Sequence, residues 1–394
     1  MAVARVPVNP KALNWAMKRA GINRKDLAKA AAVRPENVSA WLQGDERPTY
    51  RQARQLANRL RVSFSQLLLP PPERVWLPIQ DLRRGRSRGE EPSPELLDAV
   101  YDAFRKRDWY REYRGGESLR LQAGSSWRRD SPEDVAEAIK QAIPVHELQA
   151  QTTTWAEFLK RVVENVEDRG ILVLRQGYVG SNSRRTYDPE EFSGFAIADS
   201  VAPVIFLNAR DFIARQIFTL AHELAHIWLR QSVLDAGLEG PEAPLPEAPL
   251  EEMERFCDRV AATVLMPGET FVETWAGRPY EAAYEAAQAV AKRFKVSAWA
   301  ALRRALELQL IGSDEYRRAL KLVQEAIRER EERGQGRNFW VLLRVRNSRA
   351  FTQAVLEAAS SGNLGVKEVA SLLNIRLSTA LDFLERAAAA REAS

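Results

Sequence analysis

Residues 209–231 read ARDFIARQIFTLAHELAHIWLRQ, and the fold of the chain turns on this stretch. Ile213, Ile217, Leu220, Leu224 and Ile227 recur at three- and four-residue intervals. That spacing predicts a long amphipathic helix docked on a core by one apolar stripe. His222, Glu223 and His226 fall off the stripe and spell HExxH. Two His at i and i+4 lie one turn apart on one helix face. Imidazoles so placed can chelate one ion at about 2.0–2.1 Å. Glu223 comes too early in the turn to ligate comfortably with both rings. It is better placed to orient a water and take its proton.

The composition sharpens this reading. The 394 residues contain three His and one Cys, so HExxH consumes two of the three His. The lone Cys257 excludes an intrachain disulfide framework and any Cys-based zinc cage. An open catalytic site needs a third protein ligand. His146 lies far upstream and is read as a structural or surface residue. A carboxylate is therefore required, and the next helical stretch begins at about Glu251. On it Glu254 and Asp258 share a face at i and i+4. Glu254 is taken as the third ligand, ahead of Glu251 and Glu252. Asp258 is taken as the acceptor of the outer N–H of a ligating imidazole, His222, which fixes its tautomer. Phe256, Val260 and Val264 form that helix's apolar stripe, and Cys257 is read as a small buried apolar residue. Zinc suits two His and a Glu, and so does manganese.

The charge is unevenly placed. Residues 1–90 hold 18 Lys and Arg against 7 Asp and Glu, a surplus of +11, although the whole chain carries only +5. A basic head on a mildly acidic body points to a nucleic-acid-facing module at the front. Helix starts and stops divide residues 1–72 into five short helices, ended by Pro70-Pro71-Pro72. Residues 73–93 read as a charged linker. Residues 94–310 read as a helical lead-in followed by strands near Gly170–Leu174, Phe195–Ala198 and Val204–Leu207, then helices. Residues 311–394 read as helical, with weak breaks near Gly312 and Gly334–Gly336. The expected class is mainly α with a small β-sheet. In the tail, GNLGVKEVASLLNIRLSTALDFLERA has a helix-turn-helix cadence, but plain helical packing is the expected outcome. No apolar run approaches the ~20 residues of a membrane span, and MAVARVPVNPKALNW lacks the apolar segment of a secretory signal. A cytoplasmic protein without membrane partners is expected.

Two resemblances add to this. FTLAHELAHIWL at 218–229 and ERFCDRVAATVLMP at 254–267, with the strands Gly194–Asp199 and Val204–Leu207 and with Asn208, resemble the ImmA/IrrE metallopeptidases over roughly residues 150–310. The resemblance implies a thermolysin-like α+β core, with His222, His226 and Glu254 as ligands and Glu223 as base. It also implies a substrate class, helix-turn-helix repressors cut in a stress or mobile-element response. Leu27-Ala28, Val33, Val38, Trp41, Gly44 and Pro48 resemble an Xre/Cro-type helix-turn-helix. That module would present Glu36, Asn37 and Ala40 to the groove, with Arg24, Lys25, Arg34 and Arg47 on phosphates. Pro35, Ala40 and Leu42 depart from the usual pattern of the recognition helix.

The expected activity is thus a metal-dependent endopeptidase carrying a DNA-binding domain. The competing reading is a DNA-binding regulator whose metal is structural or sensory. Self-association as a homodimer is left open. The strand near 204–207 is expected at a sheet edge, where an extended substrate adds as a strand. Tyr178, Tyr187 and Arg215 are candidate donors to the transition-state oxygen. The Pro-rich loop at 237–250 reads equally as a lid and as a surface loop without a role.

Overall fold

The computed structural model describes residues 5–60, 62–72, 92–116, 119, 125–230, 247–276, 282–328 and 339–392. The chain divides into two compact units that meet in sequence near residue 100. The Pro-rich loop falls outside the described residues, except that its last four residues open a helix. The break at Gly334–Gly336 also lies outside them.

In the first unit the helices are α1 (Pro10–Arg19), α2 (Arg24–Ala30), α3 (Pro35–Gln43) and α4 (Tyr50–Leu60). The fifth element expected there is one 3-10 turn, Ser65–Leu67. Local chemistry sets the boundaries. Asn9 Oδ1 accepts from the amides of Lys11 and Ala12, and Asn23 Oδ1 accepts from Asp26. Both caps satisfy N–H groups that a helix start leaves open. Gly44, at φ +83°, ends α3 in the left-handed conformation that glycine adopts without steric cost. Leu13, Leu27, Val38, Trp41 and Leu56 fill the core of this bundle.

The second unit holds the sheet. Its lead-in is the later part of α5 (Pro94–Tyr113), then α6 (Pro132–Ala142), α7 (Val145–Gln151) and α8 (Trp155–Asp168). Three strands follow, β1 (Leu172–Gln176), β2 (Gly194–Ile197) and β3 (Val204–Asn208), in the order β1-β3-β2. β3 pairs in parallel with β1, Leu172 opposite Val204, and antiparallel with β2, Gly194 opposite Leu207. The strand expected at an edge is therefore the central one. Every residue of β3 is buried, as a strand flanked on both sides and covered by helices requires. β2 and β1 are the edges.

α9 (Ile213–Trp228) packs on β2 and β3, and α10 (Glu247–Leu265) lies along α9. The expectation of a single docked stripe on α9 is corrected here. Gln216, Thr219, Glu223 and His226 are buried together with the leucines and isoleucines, so α9 is enclosed on nearly all sides. A helix apolar around most of its circumference belongs inside a core. The remaining helices are α11 (Gly268–Ala276), α12 (Ala283–Phe294), α13 (Ala298–Glu307), α14 (Ser313–Arg328), α15 (Phe339–Asn347), α16 (Arg349–Ser360), α17 (Val366–Leu372) and α18 (Leu377–Glu392). Gln149 ties two of these layers by donating to the carbonyls of Leu265 and Phe294. No described helix is long and apolar enough to cross a membrane.

One glycine sets the distance between α9 and the sheet. A Cβ on Gly194 would lie 2.6 Å from both the Phe206 carbonyl oxygen and Thr219 Cγ2. The first is backbone of β3 and the second a side chain of α9, so strand and helix would both have to give way. Gly194→Ala is expected to destabilise the chain by about 1–3 kcal/mol, the usual cost of overpacking. Thermal or denaturant unfolding measures this, and an unchanged midpoint would show that the spacing is set elsewhere.

Candidate metal centre

α9 and α10 each contribute one face to the site. His222 and His226 stand one turn apart on α9, as helix geometry dictates. Across from them α10 brings Glu254, and Met253, Cys257, Val260 and Ala261 anchor α10 in the core. Neutral apolar packing thus fixes the two helices, and polar groups meet where they touch. His222 Nε2 and His226 Nε2 are 3.1 Å apart. Glu254 Oε2 lies 3.3 Å from His222 Nε2, and Oε1 lies 3.2 Å from His226 Nε2. Among the described residues these three form the one group of His, Cys, Asp and Glu that could hold a metal ion.

The distances can be tested against an ion. Four ligands at about 2.0–2.1 Å in a tetrahedron stand about 3.3–3.4 Å from one another. The 3.1 Å between the two imidazole nitrogens is close to one edge of such a tetrahedron, and the Glu254 carboxylate reaches across to both rings, Oε2 to His222 at 3.3 Å and Oε1 to His226 at 3.2 Å. The tautomers agree. His222 Nδ1 is 3.0 Å from Asp258 Oδ1, so that nitrogen donates to the carboxylate and Nε2 is the one that an ion would take. His226 Nδ1 faces Cys257 Sγ at 3.7 Å. The inner edges of both rings and a carboxylate therefore face one point, and they need a positive charge between them.

The same demand governs the titration of the cluster. Burial disfavours an imidazolium, yet the hydrogen bonds to Asp258 and Glu254 outweigh it and hold His222 up to about 10. His226 is also raised, against burial, by Cys257, Glu254 and Glu223. Burial acts to raise Glu254, but its two imidazole partners hold the carboxyl well below the usual range.

Glu223 is only 5% exposed. Its Oε1 would stand 3.6 Å from a Cβ on Gly194, so the carboxylate sits beside the start of edge strand β2. Asp258 is placed on His222, as its spacing from Glu254 suggested. Glu252 is exposed and is not among the three. His146 is exposed on α7 and is not among the three. Cys257 is fully buried but not inert packing, because its sulfur faces the outer nitrogen of His226. Its position three residues after Glu254, on the same face, was the available signal.

The proposed oxygen donors are engaged elsewhere. Tyr178 and Arg346 interact, with Arg346 Nη1 donating to the hydroxyl at 3.3 Å. The Tyr187 ring is buried between Phe192 and Phe206. Arg215 pairs with Asp211. In the first unit Arg24, Lys25, Arg34, Glu36 and Arg47 are all exposed. Asn37 is partly engaged in capping, because its Oδ1 accepts from the Arg34 amide at 3.2 Å.

Residues 166–306 match the Peptidase_M78 family, described as the IrrE N-terminal-like domain, and that span contains every residue of the site. Residues 13–67 match the HTH_3 helix-turn-helix family. No curated protein matches the chain. The two matches place a domain similar to the Peptidase_M78 metallopeptidases after a helix-turn-helix domain in the sequence, the order of motifs that the ImmA/IrrE resemblance implied.

Removing a ligand and removing its support should differ. His226→Ala and Glu254→Ala are expected to abolish one-to-one zinc binding. Asp258→Ala is expected to keep the stoichiometry and weaken affinity by about 10–100-fold, the usual effect of losing the group that orients a ligand. Competition with a chelator reads both, and wild-type affinity in D258A would remove Asp258 from that role.

Proposed function

We propose that this chain is a zinc-dependent endopeptidase, with manganese as the other ion its ligands suit, that cleaves a protein substrate. The observation that carries the reading is Glu223. Three convergent ligands suffice to hold an ion, and a buried carboxylate one residue from a ligand adds nothing to that task. It is the group needed to move a proton during hydrolysis. His222, His226 and Glu254 would hold the metal, with Asp258 and Cys257 against the outer nitrogens of the two rings. When bound, the ion supplies Lewis acidity to the scissile carbonyl and lowers the pKa of water.

The chain's own residues do the rest. Glu223 takes a proton from the attacking water as the new C–O bond forms at the carbonyl carbon. It returns that proton to the amide nitrogen as the C–N bond breaks, so one water is consumed and a carboxylic acid and an amine result. Edge strand β2, beside Glu223, is where an extended substrate would pair through its backbone. The enclosed position of α9 limits bulk water around the carboxylate. The substrate class we favour is a helix-turn-helix repressor cut in a stress or mobile-element response, on the strength of the family architecture. The first unit would bind DNA through α3, with Arg24, Lys25, Arg34 and Arg47 on phosphates and Glu36 and Asn37 towards the groove.

Zinc-loaded chain is incubated with a panel of purified helix-turn-helix repressors, and the products are read by mass spectrometry. Wild type is expected to yield one discrete cut. Glu223→Gln should keep its metal and lose about 100-fold or more of the rate. Undiminished cleavage by E223Q sinks the mechanism. Cleavage of none of the panel, with metal bound, favours a structural or sensory site. Duplex binding by the whole chain is expected to weaken with salt. In the Arg24→Ala, Arg34→Ala double variant the log–log salt slope should fall by about two.

A further inference from the structure

The tail carries a second helix-turn-helix. α2 and α17 each span seven residues, and each is followed by a four-residue turn. The second residue of each turn is left-handed, Ala32 at φ +53° and Asn374 at φ +55°. The turns close with the same hydrogen bonds. Ala31 and Leu373 donate to the Leu27 and Val369 carbonyls at 3.0 Å, and Val33 and Ile375 donate to those of Ala28 and Ala370 at 3.0 Å. The cores correspond as well. Leu27, Val38 and Trp41 are buried in one, and Val369, Ala380 and Phe383 hold the same positions in the other. α16 packs on both α17 and α18 and completes the trihelical unit. The tail is therefore more than the plain helical packing expected of it.

The outer faces are opposite in character. Around α2 and the start of α3 the exposed charged residues are Arg24, Lys25, Lys29 and Arg34 against Asp26 and Glu36, a net surplus of two positive charges. In the tail a shallow cleft is lined by Val366, Lys367, Glu368, Leu377 and Leu381. Leu377 is 47% exposed and Leu381 45%. Leu384, half-buried, and Ala388, exposed, extend the row. Positions 377, 381, 384 and 388 follow the four-three-four spacing of a helix-pairing seam. The exposed charges nearby cancel, with Lys367, Arg376 and Arg386 set against Glu368, Asp382 and Glu385. A neutral apolar face has no electrostatic hold on phosphates.

We propose that this second helix-turn-helix docks a second copy of the chain, α18 against α18, and does not read DNA. The seam is self-complementary in an antiparallel pair. A two-fold axis between Leu381 and Leu384 sets Leu377 opposite Ala388 at both ends and Leu381 opposite Leu384 in the middle. Large meets small at the ends, and the central leucines meet each other, as an isologous contact requires. Pairing also covers two large apolar side chains that a monomer leaves in water. It gives one particle two basic helix-turn-helix units, the number a two-fold operator uses.

The test is sedimentation equilibrium of the full-length chain at about 50 µM, a concentration suited to a small interface. Wild type is expected at twice the 44.6 kDa chain mass. Leu377→Glu with Leu381→Glu should fall to the single-chain mass, with circular dichroism and bound zinc unchanged. Leu377→Met with Leu381→Met should stay dimeric, which separates loss of the seam from loss of the fold. A monomeric wild type overturns the proposal, and so does a dimeric L377E/L381E chain. Loss of duplex binding in L377E/L381E without a change in mass overturns it in favour of a second DNA-reading face.

Discussion

Two imidazole nitrogens and a carboxylate are held within 3.3 Å of one another between α9 and α10. In a buried setting this arrangement is repulsive unless positive charge sits among the three groups. The surrounding structure supplies what holds them there. Apolar residues on α10 lock it against α9, Asp258 orients one ring and Cys257 meets the other. The three groups are thus held by their helices and by neighbours outside the cluster.

Helix α9 has two tasks that compete. It packs closely on the sheet, and it carries a buried carboxylate, Glu223, on the side that meets β2. Gly194 resolves this at the start of β2, where the missing side chain lets Thr219 and the β3 backbone come close. The edge strand thereby reaches the acid without a bulky residue between them. Because β3 is central, the edge strand beside Glu223 is β2, the strand that begins with that glycine.

The two helix-turn-helix units share a backbone motif and differ in the side chains they expose. Their turns agree to a few degrees in φ and to a tenth of an ångström in the closing hydrogen bonds compared. One displays arginines and lysine, the other leucines. The backbone motif answers a packing problem, the joining of two short helices over a small core. Solvent-facing residues are free of that constraint and carry the difference in surface character.

Much of this was legible beforehand. HExxH, the scarcity of histidine and the ExxxD spacing of Glu254 and Asp258 single out the residues that converge, because helix periodicity is local and carries straight from sequence to face. The helix-turn-helix in front was legible for the same reason. The strand order was not. A run such as Val204–Leu207 is apolar both as a buried edge and as a central strand, and pairing depends on residues dozens of positions away. Cys257 as a partner of His226, the burial of α9 on most sides and the engagement of Tyr178, Tyr187 and Arg215 elsewhere were hidden too. What the sequence alone determined was which chemistry lies on which helix face, since three- and four-residue intervals fix that within one element. Which faces meet, at what distance and with what excluded from between them was decided only by the tertiary structure, because those are contacts between elements, and no local periodicity encodes them.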